Sequence, residues 1–317
     1  MRRPAIAITA LAVVLGLVGC SAPRQVQRVE QRAPAAATPT PPAPAGSAPS
    51  RAFAVGTRTL KLANRPERPL PTTVFYPATG SAGRNPRSNA TPASGRFPVI
   101  VFSHGLGANG AAYQNLLARW AAAGFLVVAP SYPHTSWGVA KFDVLDVVNQ
   151  PDDASYVLTS VLALDTKSGD PLRGHIATGS VAAAGHSAGG ITTVGLFTSQ
   201  RDERLRAGIV LAGNGVGMGD KYTGPTASLL FVHGEQDTTV PYAMGKVAYD
   251  HVPWPKALLS LPKEAHIEPY LIPGGKAFEA VAKLTTDFLR WTLYGDRAAK
   301  QRLPRAATGV GILDNRL

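Results

Sequence analysis

The chain predicts an α/β architecture, a mostly parallel central sheet with helices on both faces, and three observations carry that expectation. From residue 53 onward short apolar runs alternate with amphipathic segments, the pattern of repeated strand–helix units. No apolar run reaches the roughly 18 residues that a membrane-spanning helix needs, while 45% hydrophobic and 16% charged residues suit a packed core. A single cysteine in 317 residues leaves neither a disulfide framework nor a cysteine-rich metal module.

The chain opens MRRPAIAITALAVVLGLVGC: two arginines, an apolar stretch from Ala5 to Val18, then Gly19 and the only cysteine. A basic start, a short apolar segment and a small residue before the cut define a secretory signal peptide over residues 1–19. Leu17-Val18-Gly19-Cys20 resembles the lipobox of bacterial lipoproteins, which implies that Cys20 becomes the lipidated first residue of the mature chain. The expected location is the cell membrane, lipid-anchored on the extracytoplasmic side. Residues 20–52 follow as a spacer: positions 21–50 hold seven Pro and eight Ala with no Leu, Ile or Phe, too little apolar surface to offset the entropy of ordering.

The formal net charge of +12 falls to about +10 once the two signal-peptide arginines are removed, so the basicity belongs to the mature chain. A basic protein attracts polyanions. An exported, tethered chain does not normally meet nucleic acid, so anionic lipid or envelope polymer is the expected counterpart, and no nucleic-acid partner is expected.

The folded domain is expected over residues 53–296, with 297–317 as a basic tail. Arg58 to Leu62 and Thr72 to Tyr76 read as an antiparallel entry to the sheet. Phe97-Pro-Val-Ile-Val-Phe102 is a buried strand, followed by a helix with Tyr113, Leu116, Leu117 and Trp120 on one face. Gly124 to Ala129 is the next strand. Pro151-Asp152-Asp153 then opens a helix, with acidic residues where the helix dipole favours them. Val181 to Ala184, Ala207 to Leu211, Ser228 to Val232 and Ala257 to Leu261 supply four further strands. The closing helix carries Val281, Leu284, Phe288 and Trp291.

Gly185-His186-Ser187-Ala188-Gly189 stands directly between the Val181 strand and a helical run. In such a G-x-S-x-G turn the glycines let the backbone bend sharply and present the serine as a nucleophile. A triad in this architecture runs serine, acid, histidine in chain order. Only His233, His251 and His266 follow Ser187. His233 precedes the acid candidates, and His251 falls within an expected helix. His266 lies in the loop after the Ala257 strand. Asp237, with Glu235 as its near competitor, lies in the loop at the carboxyl end of the Ser228 strand, where an α/β sheet places its ligand-facing groups. Position therefore selects Ser187, Asp237 and His266. The oxyanion formed on attack needs two donors: the N–H of Ala188, and the N–H of Leu106 in His104-Gly105-Leu106-Gly107.

Gly105-Leu-Gly107-Ala-Asn-Gly110 also satisfies G-x-G-x-x-G. A dinucleotide site would need an acid at the end of the next strand, and that region reads Ala129-Pro130-Ser131. Metal and nucleotide motifs are absent from the sequence, so no cofactor and no metal site is expected. About fifteen residues separate the strands ending at Leu211 and starting near Ser228, too few for a cap domain, so the site is expected to be open and shallow. Trp137 and Met218 are the candidates to line it.

Ser103-His-Gly-Leu-Gly107, Gly185-His-Ser-Ala-Gly189, the HGEQD stretch ending at Asp237, and His266 together resemble the α/β-hydrolase superfamily. Within it they are similar to the branch of platelet-activating-factor acetylhydrolases, dienelactone-hydrolase-like enzymes and polyester hydrolases or cutinases. The resemblance implies an α/β-hydrolase fold without a large cap, Ser187 as nucleophile, Asp237 and His266 as its partners, and Leu106 and Ala188 as oxyanion donors. The expected activity is carboxylic-ester hydrolysis through an acyl-enzyme by a monomer acting on an acyl-ester small molecule or lipid. Two alternatives remain open at this level: acyl transfer in the envelope by the same residues, and a non-catalytic lipoprotein that keeps the fold as a binding module.

Overall fold

The computed structural model describes residues 46–83 and 85–317. The expected signal peptide 1–19, Cys20 and the spacer as far as residue 45 lie outside the described residues. Among the described residues no helix is long and apolar enough to cross a membrane.

Among the described residues ten strands form one sheet in the order β10-β9-β8-β7-β6-β4-β5-β2-β1-β3. They are β1 (Ala54–Arg65), β2 (Arg68–Ala78), β3 (Arg87–Ser88), β4 (Phe97–Ser103), β5 (Leu126–Pro130), β6 (Ile176–His186), β7 (Leu205–Leu211), β8 (Ser228–Gly234), β9 (Lys256–Leu261) and β10 (Ile312–Arg316). The run from β9 through β5 is parallel, and β2 joins it antiparallel through Thr72↔Pro130 to Phe75↔Val127. The expected hairpin at the entry is β1 and β2, longer than its apolar core suggested. The helices are α1 (Gln114–Ala122), α2 (Gln150–Leu162), α3 (Ala188–Gly195), α4 (Tyr242–His251), α5 (Glu268–Leu271), α6 (Lys276–Tyr294) and α7 (Arg297–Ala306). His251, expected within a helix, is the last residue of α4.

Both faces of the sheet are covered, which is why its central strands read as continuous apolar runs. Along β4, Ile100 and Phe102 join the core against α1 and α6, whereas Val99 and Val101 join the core against α2 and α4. The same alternation runs through β6, β7 and β8, as the two-residue period of a strand requires.

The basic segment 297–317, expected as a tail, is instead part of the fold. Asp296 caps α7 by accepting from the Ala299 N–H at 2.9 Å, Leu303 is buried, and Arg302 bonds Asp287 at 2.6 Å. β10 then pairs antiparallel with β9, from Ile312↔Ser260 to Arg316↔Lys256, and closes that edge. A stripe of only Ala299, Leu303 and Ala306 among four basic residues was too narrow to announce a packed helix.

On the other side, a buried ion cluster fastens the β1–β2 hairpin to the body. The Arg68 guanidinium bonds Asp146 at 2.8 and 2.9 Å and Asp153 at 3.0 Å. Burial works against ionising Asp146, but the hydrogen bonds and charge of Arg68 outweigh it and hold the carboxyl below its ordinary range.

Two features of the topology position the site. The chain passes from β4 to β5 on one side and returns to β6 on the other, so β4 and β6 are neighbours where the winding reverses. Crevices for ligands open at the carboxyl ends of strands at such a point. Ser103, the last residue of β4, pairs with Gly185, two residues before Ser187.

Candidate active site

Ser187 occupies a backbone conformation that side chains other than glycine rarely adopt, with φ 57° and ψ −121°. Its own N–H donates to Leu211 O at 2.9 Å, which fixes the turn to β7. The flanking glycines are required by close approach. A Cβ on Gly185 would lie 2.0 Å from Gly189 O, and one on Gly189 would lie 1.9 Å from Ser103 O. Both spaces are filled by backbone that cannot retreat, so the G-x-S-x-G spacing is a steric consequence of setting α3 against β4 and β6.

The structure brings Ser187, His266 and Asp237 together. His266 Nε2 lies 2.8 Å from Ser187 Oγ, and His266 Nδ1 lies 2.7 Å from Asp237 Oδ2. Since the carboxylate can only accept, Nδ1 carries a proton, and Nε2 faces the hydroxyl. Asp237 is held in turn: its Oδ1 accepts from the Thr239 and Val240 N–H groups at 2.9 and 2.8 Å. His233 Nε2 donates to Val240 O at 2.8 Å and supports the same loop. All three side chains of the chain are buried, Ser187 being the most accessible at 9%.

Leu106 and Ala188 are where the sequence places them, one in the turn after β4 and one at the first position of α3. Among the described residues neither backbone N–H has a backbone partner. Gly105 touches the elbow directly, since a Cβ there would lie 3.3 Å from Ser187 Cβ. The Leu106 loop is braced on both sides. Gly107 N–H donates to Thr135 O at 2.8 Å, and Trp137 N–H donates to Ala108 O at 2.9 Å.

Two histidines to which sequence reasoning gave no role maintain this arrangement. His104 donates through Nδ1 to Gly105 O at 2.8 Å, while its Nε2 accepts from Ser136 Oγ at 2.9 Å and from Tyr132 N–H at 3.2 Å. His186, within the elbow, contacts Tyr113 Oη and His266 O, each at 2.8 Å. Burial pushes the His104 imidazole down to about 4; burial first, and then the nearby His266, push His186 down to about 3. Both rings are neutral at ordinary pH. Their only sequence signal was a histidine inside or beside an apolar strand.

The two lining candidates separate. Trp137 is 77% exposed beside the Leu106 loop, whereas Met218 is 1% exposed and packs into the core against Gly195. Met218 does not line the site; Val216, two residues earlier, stands out to solvent instead. A hollow of about 560 Å³ lies between the 214–222 loop and α4, bordered by Val194, Asn214, Val216, Tyr222, Met244 and Val247; its lining does not include Ser187, Asp237 or His266. Residues 212–227 contain no helix, so the β7–β8 connection forms no cap. Among the described residues no group of three or more His, Cys, Asp or Glu side chains is arranged to hold a metal ion.

Residues 83–226 match the family model described as Chlorophyllase, a family of the α/β-hydrolase type. The chain has an α/β-hydrolase fold. The match spans β3 to β7 and so includes Leu106, Ser187 and Ala188, but it stops short of Asp237 and His266. No curated protein matches the chain. The G-x-G-x-x-G string in the matched region is a loop of this fold: Asn109 caps the short helical turn Gly110–Tyr113 by accepting from the Ala111 N–H, and Gly110 leaves room for Ala129 Cβ.

Proposed function

We propose that this chain hydrolyses carboxylic esters with Ser187 as nucleophile, His266 as general base and acid, and Asp237 as the group that orients and stabilises the imidazolium. The observation that carries the reading is the continuous chain Asp237–His266–Ser187, at 2.7 and 2.8 Å, next to the Ala188 N–H, which among the described residues has no backbone partner. As Ser187 Oγ bonds to the ester carbonyl carbon, its proton passes to His266 Nε2 and the carbonyl electron pair moves onto oxygen, where the Leu106 and Ala188 N–H groups donate. The tetrahedral centre collapses, the C–O bond to the alcohol breaks, and the alcoholate takes the proton from His266. Water then attacks the acyl-enzyme, giving its proton to His266, and the acid leaves as that proton returns to Ser187.

Apolar acyl esters suit the surroundings. Leu106, Trp137 and Ile267 are all exposed by 42% or more; Leu106 belongs to the proposed machinery, Ile267 follows His266, and the Trp137 N–H bonds Ala108 O in the Leu106 loop. The proposal extends to export and lipidation at Cys20, which would hold the enzyme at a membrane surface.

Replacing Ser187 by Ala should lower kcat/KM for a short p-nitrophenyl ester by several orders of magnitude, on the scale seen when a triad nucleophile is removed. Unchanged turnover in folded protein would sink the assignment. Failure of a fluorophosphonate probe to label Ser187 would favour a non-catalytic role for the fold.

A further inference from the structure

Beneath the proposed machinery, on the α1 and α6 side of the sheet, lies a one-directional relay of hydrogen bonds. His266 O is a carbonyl and can only accept, so the 2.8 Å contact from His186 Nε2 places the proton on Nε2. A neutral ring then leaves Nδ1 bare, so the Tyr113 hydroxyl donates to it across 2.8 Å. The Tyr113 oxygen in turn accepts from the Gly105 N–H at 3.0 Å. Every polar atom in the path has one possible role, and Tyr113 and His186 are fully enclosed, at 2% and 1% exposure.

The two ends of the path are main-chain groups on two separate loops that carry the proposed machinery. One is the peptide immediately before Leu106. The other is the main chain of His266, on a loop that follows β9. We propose that His186 is a positioning residue that ties the His266 backbone to the Leu106 loop through Tyr113, so that base and oxyanion donor are set at one distance from Ser187. The inference rests on the reading of Ser187 as nucleophile. Its physical basis is that displacing a reacting group by about 1 Å can cost on the order of 10²-fold in rate, and among the described residues the hydrogen bonds of His266 lead to the β4 loop through His186 and Tyr113. The ring of His186 also packs 4.7 Å from that of His266 and 4.9 Å from that of Tyr270, which fills the space but fixes no direction.

Substitutions at 186 separate packing from hydrogen bonding. His186→Phe keeps a ring and removes both polar atoms. His186→Gln keeps a donor at the reach of Nε2. With a short p-nitrophenyl ester, kcat should fall roughly 10- to 100-fold in His186→Phe with KM within about 3-fold of the parent, and His186→Gln should recover a clear part of the loss. The downfield NMR signal of the proton between His266 Nδ1 and Asp237 should broaden or shift in the Phe variant and not in Gln. Tyr113→Phe, which leaves the ring in place, should reproduce the kcat loss and decides the matter if position 186 tolerates no change. Wild-type kcat in folded His186→Phe or Tyr113→Phe would overturn the relay, as would a Gln variant no better than Phe. Ser187→Ala, run in parallel, keeps the two ideas apart: an active Ser187→Ala refutes the nucleophile assignment, whereas an inactive one beside a fully active Tyr113→Phe refutes the relay alone.

Discussion

Moving the protein from pH 7 to pH 5 should destabilise it through His104 and His186. Each is buried with every ring nitrogen committed to a neutral-ring hydrogen bond. Burial lowers their values from an ordinary 6.5 to about 4 and about 3, so the unfolded chain binds protons that the folded one refuses. A lowered folded-state value gives stability that is complete above the unfolded value and lost as pH falls toward the folded one, here between about 6.5 and 4. A pH of 5 lies about 1.5 units below the unfolded value of each ring, worth on the order of 2 kcal/mol per ring and about 4 kcal/mol for the pair. His233, also lowered chiefly by burial, acts in the same direction. Against a typical domain stability of about 5–15 kcal/mol this is a large fraction. Urea unfolding at pH 7, 6 and 5 reads it as a falling midpoint at constant slope. Stability that stays flat across that window would refute the neutral-ring assignment, and His104→Gln should remove roughly half of the pH dependence that His104 and His186 contribute.

Two further substitutions test the scaffold. Gly189→Ala forces a Cβ to within 1.9 Å of Ser103 O, so the elbow must open; ester turnover and fluorophosphonate labelling should both be lost even where circular dichroism still reports a folded sheet. Arg68→Met leaves Asp146 and Asp153 buried without their cation and should cost about 3–5 kcal/mol in urea unfolding, with kcat nearly unchanged in the protein that remains folded.

What could be read from the sequence follows the range of the interactions. The strand–helix alternation and the elbow depend on neighbours within a few residues, and the glycines at 185 and 189 state their own steric reason. Asp237 and His266 were reached because chain order and strand ends leave few positions open. Met218 was misplaced because a lone apolar residue in a glycine-rich loop has no periodic partners to say which way it faces. The Arg68 cluster and the His186 contacts join residues 73 to 85 positions apart, and no local pattern encodes such a pairing. A histidine in an apolar strand reads as packing until its partners are in view.

The relay also bears on how the two halves of the molecule fit. The segment matching the family model ends at residue 226, so it contains Leu106, Tyr113, His186 and Ser187 but not the loop that supplies His266. The bond that crosses this boundary, His186 Nε2 to His266 O, is made to a main-chain atom. A main-chain acceptor fixes where the histidine loop must run without fixing which residues build it. The segment before His266 is held by main-chain atoms as well, since Glu264 O accepts from the Gln236 N–H at 3.0 Å. On the roles proposed for His266 and the Leu106 N–H, the side chains that tie the two together, Tyr113 and His186, lie in the matched half, while the imidazole and its carboxylate come from the other.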